Sequence, residues 1–171
     1  MASKRLRCAL WLVMLVCLAA SAPLARAANN CPWMNEATAG GLLGGASTGA
    51  FTAAANGQPA VCTFTSTTPD ATRVLEVTVE VVSSEPHLRL AQLEDACRMN
   101  TAPVPAVGNE AMRCQPKVRG AVMAERILGR VRDQVFSITI STSLKDDGEL
   151  NADMLEKHLA LAAEQVAGNL F

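Results

Sequence analysis

The chain has 171 residues, of which 50% are apolar, 18% charged and 4% aromatic, enough for one domain around one core. Fifteen basic side chains stand against sixteen acidic ones, but Lys4, Arg5, Arg7 and Arg26 all fall within residues 1–27, which hold no acid. The remainder carries eleven against sixteen, a net charge of −5. That balance argues against holding nucleic acid or an anionic membrane by bulk charge, since both need basic patches that displace counterions.

Residues 1–27 read as a signal peptide. A basic start is followed by an uninterrupted apolar run of thirteen residues, Cys8 to Ala20. That run is shorter than the roughly twenty residues that span a bilayer. Ala25 and Ala27 supply small residues at the −3 and −1 positions of a cleavage site. Bulky residues before Cys17 and asparagines before Cys31 do not fit a lipoprotein signal. Residues 28–171 then form a single domain with no further segment of membrane-spanning length, and the protein is expected in the periplasm or outside the cell.

Asn35 is placed to cap a short helix from Glu36 to Leu43 that stops at Gly44. A small, polar stretch follows, with a short strand near Phe51 and a turn at Asn56-Gly57. "VCTFTS" (61–66) alternates, with Cys62 and Phe64 on one face. "VLEVTVEV" (74–81) alternates most clearly, with Leu75, Val77, Val79 and Val81 facing in and Glu76, Thr78 and Glu80 facing out. Pro86 suits the first turn of a helix running to about Met99, with Leu90, Leu93 and Cys97 on its buried stripe. "TAPVPAVGN" (101–109) reads as a loop because its prolines and glycine oppose strand pairing. "EAMRCQ" gives a short strand with Met112 and Cys114 inward. Two longer strands form a hairpin around Asp133-Gln134, with Phe136, Ile138 and Ile140 facing in. From Asn151 to Asn169 the apolar period becomes helical, through Leu155, Leu159, Ala162, Val166 and Leu170. The pattern predicts an α+β fold: an antiparallel sheet of about five or six strands, with helices packed on its apolar face and the other face largely in solvent.

Cys31, Cys62, Cys97 and Cys114 remain after the leader. In an exported chain an even count implies disulfides, with three possible pairings. Zinc would want paired ligands such as C-x₂-C, and no two of these cysteines lie closer than seventeen residues. Sequential pairing, Cys31–Cys62 and Cys97–Cys114, satisfies the face assignments above.

Catalytic patterns are weak. "GGLLGGASTG" lacks the lysine and the preceding strand of a phosphate cradle. His87 and His158 have no partner at motif spacing, there is no G-x-S-x-G elbow, and bridged cysteines lose thiolate chemistry. Met99 and Met112, beside Cys97 and Cys114, invite a copper reading, but core packing accounts for Met112. No cofactor is expected. The best candidate binding site is a basic stripe in which Arg126, Leu128, Arg130 and Arg132 share an outer face and grip a carboxylate, a phosphate or an acidic partner. Its bland counterpart is cross-strand pairing with Glu76 and Glu80. The loop holding Gly108 and Asn109 is the second candidate.

"CPWMNEATAGGLLGG" (31–45), "VCTF" (61–64), "VGNEA" (107–111) and the closing "AAEQVAGNLF" (162–171) together resemble small exported bacterial proteins. These include actinobacterial lipoproteins of a domain of unknown function and related proteins with a PsbP-like α+β fold. The resemblance implies paired cysteines and an antiparallel sheet with packed helices, and it supplies no catalytic residue. The leading expectation is a non-enzymatic envelope or secreted protein that binds a partner or small ligand through its sheet face or loops. The rival is an exported hydrolase or metal-handling protein, which would bring ionisable groups of perturbed pKa together in a cleft.

Overall fold

The computed structural model describes residues 30–97 and 101–171, so the leader reading of residues 1–27 lies outside the described residues, as does Met99. Among the described residues, three helices accompany the sheet: α1 (Glu36–Leu43), α2 (Pro86–Asp95) and α3 (Ala152–Leu170). The strands are β1 (Thr48–Thr52), β2 (Ala60–Thr67), β3 (Thr72–Val81), β4 (Ala102–Pro103), β5 (Glu110–Cys114), β6 (Met123–Val131) and β7 (Gln134–Thr142). They form one sheet in the order β1-β2-β3-β7-β6-β5-β4, antiparallel throughout.

Seven strands replace the five or six that the sequence pattern predicts. The additional one is β4, inside the proline-bearing stretch. Val104 donates its N–H to Ala111 at 2.9 Å, so the alternation of the ladder turns position 103 outward, where the amide that proline lacks is not needed. The order resolves into two meanders, β1-β2-β3 and β4-β5-β6-β7, joined where β3 pairs with β7 from Arg73↔Thr142 to Val81↔Gln134.

The front face carries the core. Phe64, Leu75, Val77, Ile127, Ile138 and Ile140 are buried there beneath α1, which lies on β2 and β3, and α3, which lies on β6 and β7. Asn35 caps α1 as its sequence predicts, accepting from the Thr38 N–H at 2.8 Å, and Asn151 caps α3 through the Met154 N–H at 3.0 Å. Val81 departs from its predicted inward role. It is 65% exposed at the last position of β3.

The second helix corrects the picture of a sheet covered on one side. α2 crosses the back of β6 and β7 and buries Leu90 and Cys97 against Leu128, Val135 and Cys114. Met112 and Cys114 therefore face inward on the opposite side of the sheet from Ile127 and Phe136. Both disulfides join the predicted partners. Cys31–Cys62 ties the start of the described chain to β2, and Cys97–Cys114 ties the end of α2 to β5.

One buried ion pair locks the front face. Asp147, 1% exposed, receives Nε and Nη2 of Arg73 at 2.8 and 2.6 Å, the Thr142 hydroxyl at 2.7 Å and the Glu149 N–H at 3.1 Å. Arg73 also donates through Nη1 to the Leu43 carbonyl at 3.1 Å, closing the C-terminal end of α1.

Candidate functional site

Alternation along β6 sends Ile127, Gly129 and Val131 to the front and Arg126, Leu128 and Arg130 to the back. The predicted stripe thus exists as a register but not as a continuous exposed surface. Leu128 is 1% exposed because α2 sits on it.

Arg130 is already engaged. Its Nε donates to Glu110 Oε1 at 2.6 Å, across the β5–β6 pairing, and Nη1 donates to the Arg132 carbonyl at 2.9 Å. Arg132 leaves the stripe for the β6–β7 turn, with φ 55°, and its guanidinium carbon lies 5.7 Å from the centre of the Phe171 ring. Gly108 and Asn109 are drawn to the same turn. Asn109 donates its N–H to the Arg130 carbonyl at 2.7 Å and accepts the Arg132 N–H on Oδ1 at 2.6 Å. Gly108 has φ 62°, and a Cβ there would meet the Arg130 carbonyl oxygen at 2.5 Å. This is the close backbone approach that only glycine permits. Four of the five candidate residues therefore meet in a strap that fastens the 104–109 loop to the hairpin. Glu94, at the end of α2, adds acid beside it. Burial, with help from Glu110 and Asp95, raises its pKa above the ordinary carboxylate value.

Arg126 stands apart. Its Nε donates to Thr139 Oγ1 at 2.9 Å, and among the described residues it forms no salt bridge. Burial draws its pKa below the ordinary arginine value, and Glu76 partly counters that from two strands away on the same rung, Glu76↔Thr139↔Arg126. Of the acids predicted to answer the arginines, Glu80 is taken by Arg89 of α2 at 2.9 Å. The outward hydroxyls of β3 and β7 share this side of the sheet with Arg126. Thr139 and Ser141 are each 5% exposed, and Thr78 and Ser137 share the next rung. Their signal is the outward half of the β3 and β7 alternations.

The other chemistry-bearing residues are dispersed. Among the described residues no three His, Cys, Asp or Glu side chains cluster as metal ligands. Met112 packs against the α2 cluster, and His158 Nδ1 lies 2.7 Å from the Leu42 carbonyl oxygen. No helix among the described residues is long and apolar enough to cross a membrane. Compared with family models, curated proteins and solved structures, the chain matches none.

Proposed function

We propose that the protein is an exported, non-catalytic binding module that takes a small carboxylate-bearing ligand at Arg126, on the back face of the sheet. One observation carries this reading: Arg126 is a half-buried cation with a hydroxyl for its Nε and, among the described residues, no carboxylate for its fork. A partly desolvated guanidinium gains more from a bidentate carboxylate than an exposed one does. Glu76, on the far side of Thr139, favours ligands whose cationic or neutral end points toward β3. The two disulfides are compatible with an oxidising extracellular environment, and export agrees with the leader and with the resemblance to small exported bacterial proteins.

The test is an NMR titration of the oxidised protein with acetate, succinate and glycine. The Arg126 Nε–H and Thr139 amide signals should move saturably, and Arg126→Gln should weaken binding about tenfold or more, the loss of one charge-assisted pair. Shifts spread over all surface cations without saturation, or an unchanged affinity in the variant, would overturn the reading.

A further inference from the structure

The two edges of the sheet are guarded differently. β4 is two residues long and carries Pro103, which leaves little for another strand to pair with. β1, "TGAFT", is five residues long, almost wholly exposed, and has neither proline nor charge. The Gly49 N–H points away from β2, since it donates to Glu36 Oε1 at 2.7 Å. Ladder alternation turns the Phe51 N–H and carbonyl to the same open side. The edge is also bare of side chain at Gly49, because a Cβ there would meet the Phe64 ring at 2.9 Å.

Beside this edge lies a cleft of about 350 Å³ between β1 and the start of α1, with Cys31, Met34, Ala37, Ala50 and Phe64 as its apolar lining. Glu36 is the one charged side chain among the described residues that line it. We propose that β1 is a docking strip for an extended peptide segment of a partner protein. That segment carries a lysine or arginine, with an apolar residue two positions away on the same face. The segment adds a strand outside β1. Its carbonyl takes over the Gly49 N–H, its backbone pairs with Phe51, and its base neutralises the Glu36 carboxylate so released. The apolar side chain, sharing that face by the period of two, enters the cleft. Charge selects against a second copy in this role. Two β1 strands paired about a dyad would bring two Glu36 carboxylates to one junction, between chains of net charge −5 after residue 27. The strip is separate from the Arg126 face and stands whether or not that face binds a carboxylate.

The experiment uses the oxidised mature protein and two blocked synthetic peptides, threonine-leucine-threonine-lysine-threonine and the same with glutamate for lysine. Amide hydrogen exchange by NMR should show the Phe51 N–H slowed about tenfold or more by the lysine peptide and not by the glutamate peptide. Glu36→Lys should invert that preference, and its amide spectrum verifies the fold. Phe51→Pro, which removes the outward donor, should abolish the amide shifts that the lysine peptide causes at Gly49 and Ala50. The proposal fails if Phe51 gains no protection, if both peptides protect it equally, if the Glu36→Lys preference is unchanged, or if shifts map to Arg126. It also fails if Phe51 is protected without peptide in a dimer seen by sedimentation.

Discussion

Replacing Asp147 with asparagine tests the lock between β3, α1 and the loop after β7. The buried Arg73 guanidinium and the Thr142 hydroxyl hold the Asp147 carboxyl at about 2, against an ordinary 3.8. A depression of that size corresponds to about 2.5 kcal/mol of folding stability at neutral pH. The amide also leaves Arg73 buried without a counter-charge, which brings the expected loss to about 3–5 kcal/mol. The sign follows from the depressed value: the contribution is complete above about pH 4 and drains away as pH falls through about 2. Urea unfolding of wild type and Asp147→Asn across this range measures the difference directly, because every other titrating group is common to both chains. The gap should be several kcal/mol at pH 7 and narrow by about 2 kcal/mol by pH 2. A neutral-pH gap under about 1 kcal/mol, or one that does not change with pH, would refute the assignment of the pair as a charge-dependent lock.

Two further outcomes are expected. Gly129→Ala puts a methyl 2.4 Å from the Phe136 ring and should cost about 1–3 kcal/mol in a thermal melt, with Phe136→Leu in the same chain recovering part of the loss. Arg130→Glu sets a carboxylate against Glu110, its partner at 2.6 Å, and should cost about 1 kcal/mol. Adding Glu110→Arg should restore the melting temperature.

What the sequence makes legible is whatever repeats locally. The stripe of α3, the alternation of β3, the Asn35 cap and the faces of Cys62, Cys97 and Cys114 each lie within a few turns or rungs of one element. Which side of a sheet a helix will cover has no such signature. Alternation groups Met112 with Cys114 and Ile127 with Val131, but it does not say that α2 makes the first pair a separate small core. Leu128 inside the arginine stripe was the available clue, since a large apolar residue on an outer face implies a cover. The Arg73–Asp147 pair spans 74 positions, and no short-range pattern announces it. The candidate site divides the same way. The register of Arg126 and Arg130 is readable from period two, but not that Glu110 occupies one and that no acid among the described residues grips the other. The strand at Ala102–Pro103 escapes because proline argues against pairing everywhere except at such an edge.

The union of the two meanders bears on how quickly the molecule assembles. Within each half, neighbouring strands find each other over short loops, and Cys31–Cys62 falls entirely inside the first half. Arg73 must find Thr142 across 69 positions of chain, a closure whose entropy is spent before any contact rewards it. The arrival of β7 beside β3 is therefore the expected slow step of refolding. Until then the valine-rich flank of residues 74–81 is the sticky surface that a chaperone or an aggregate would find first.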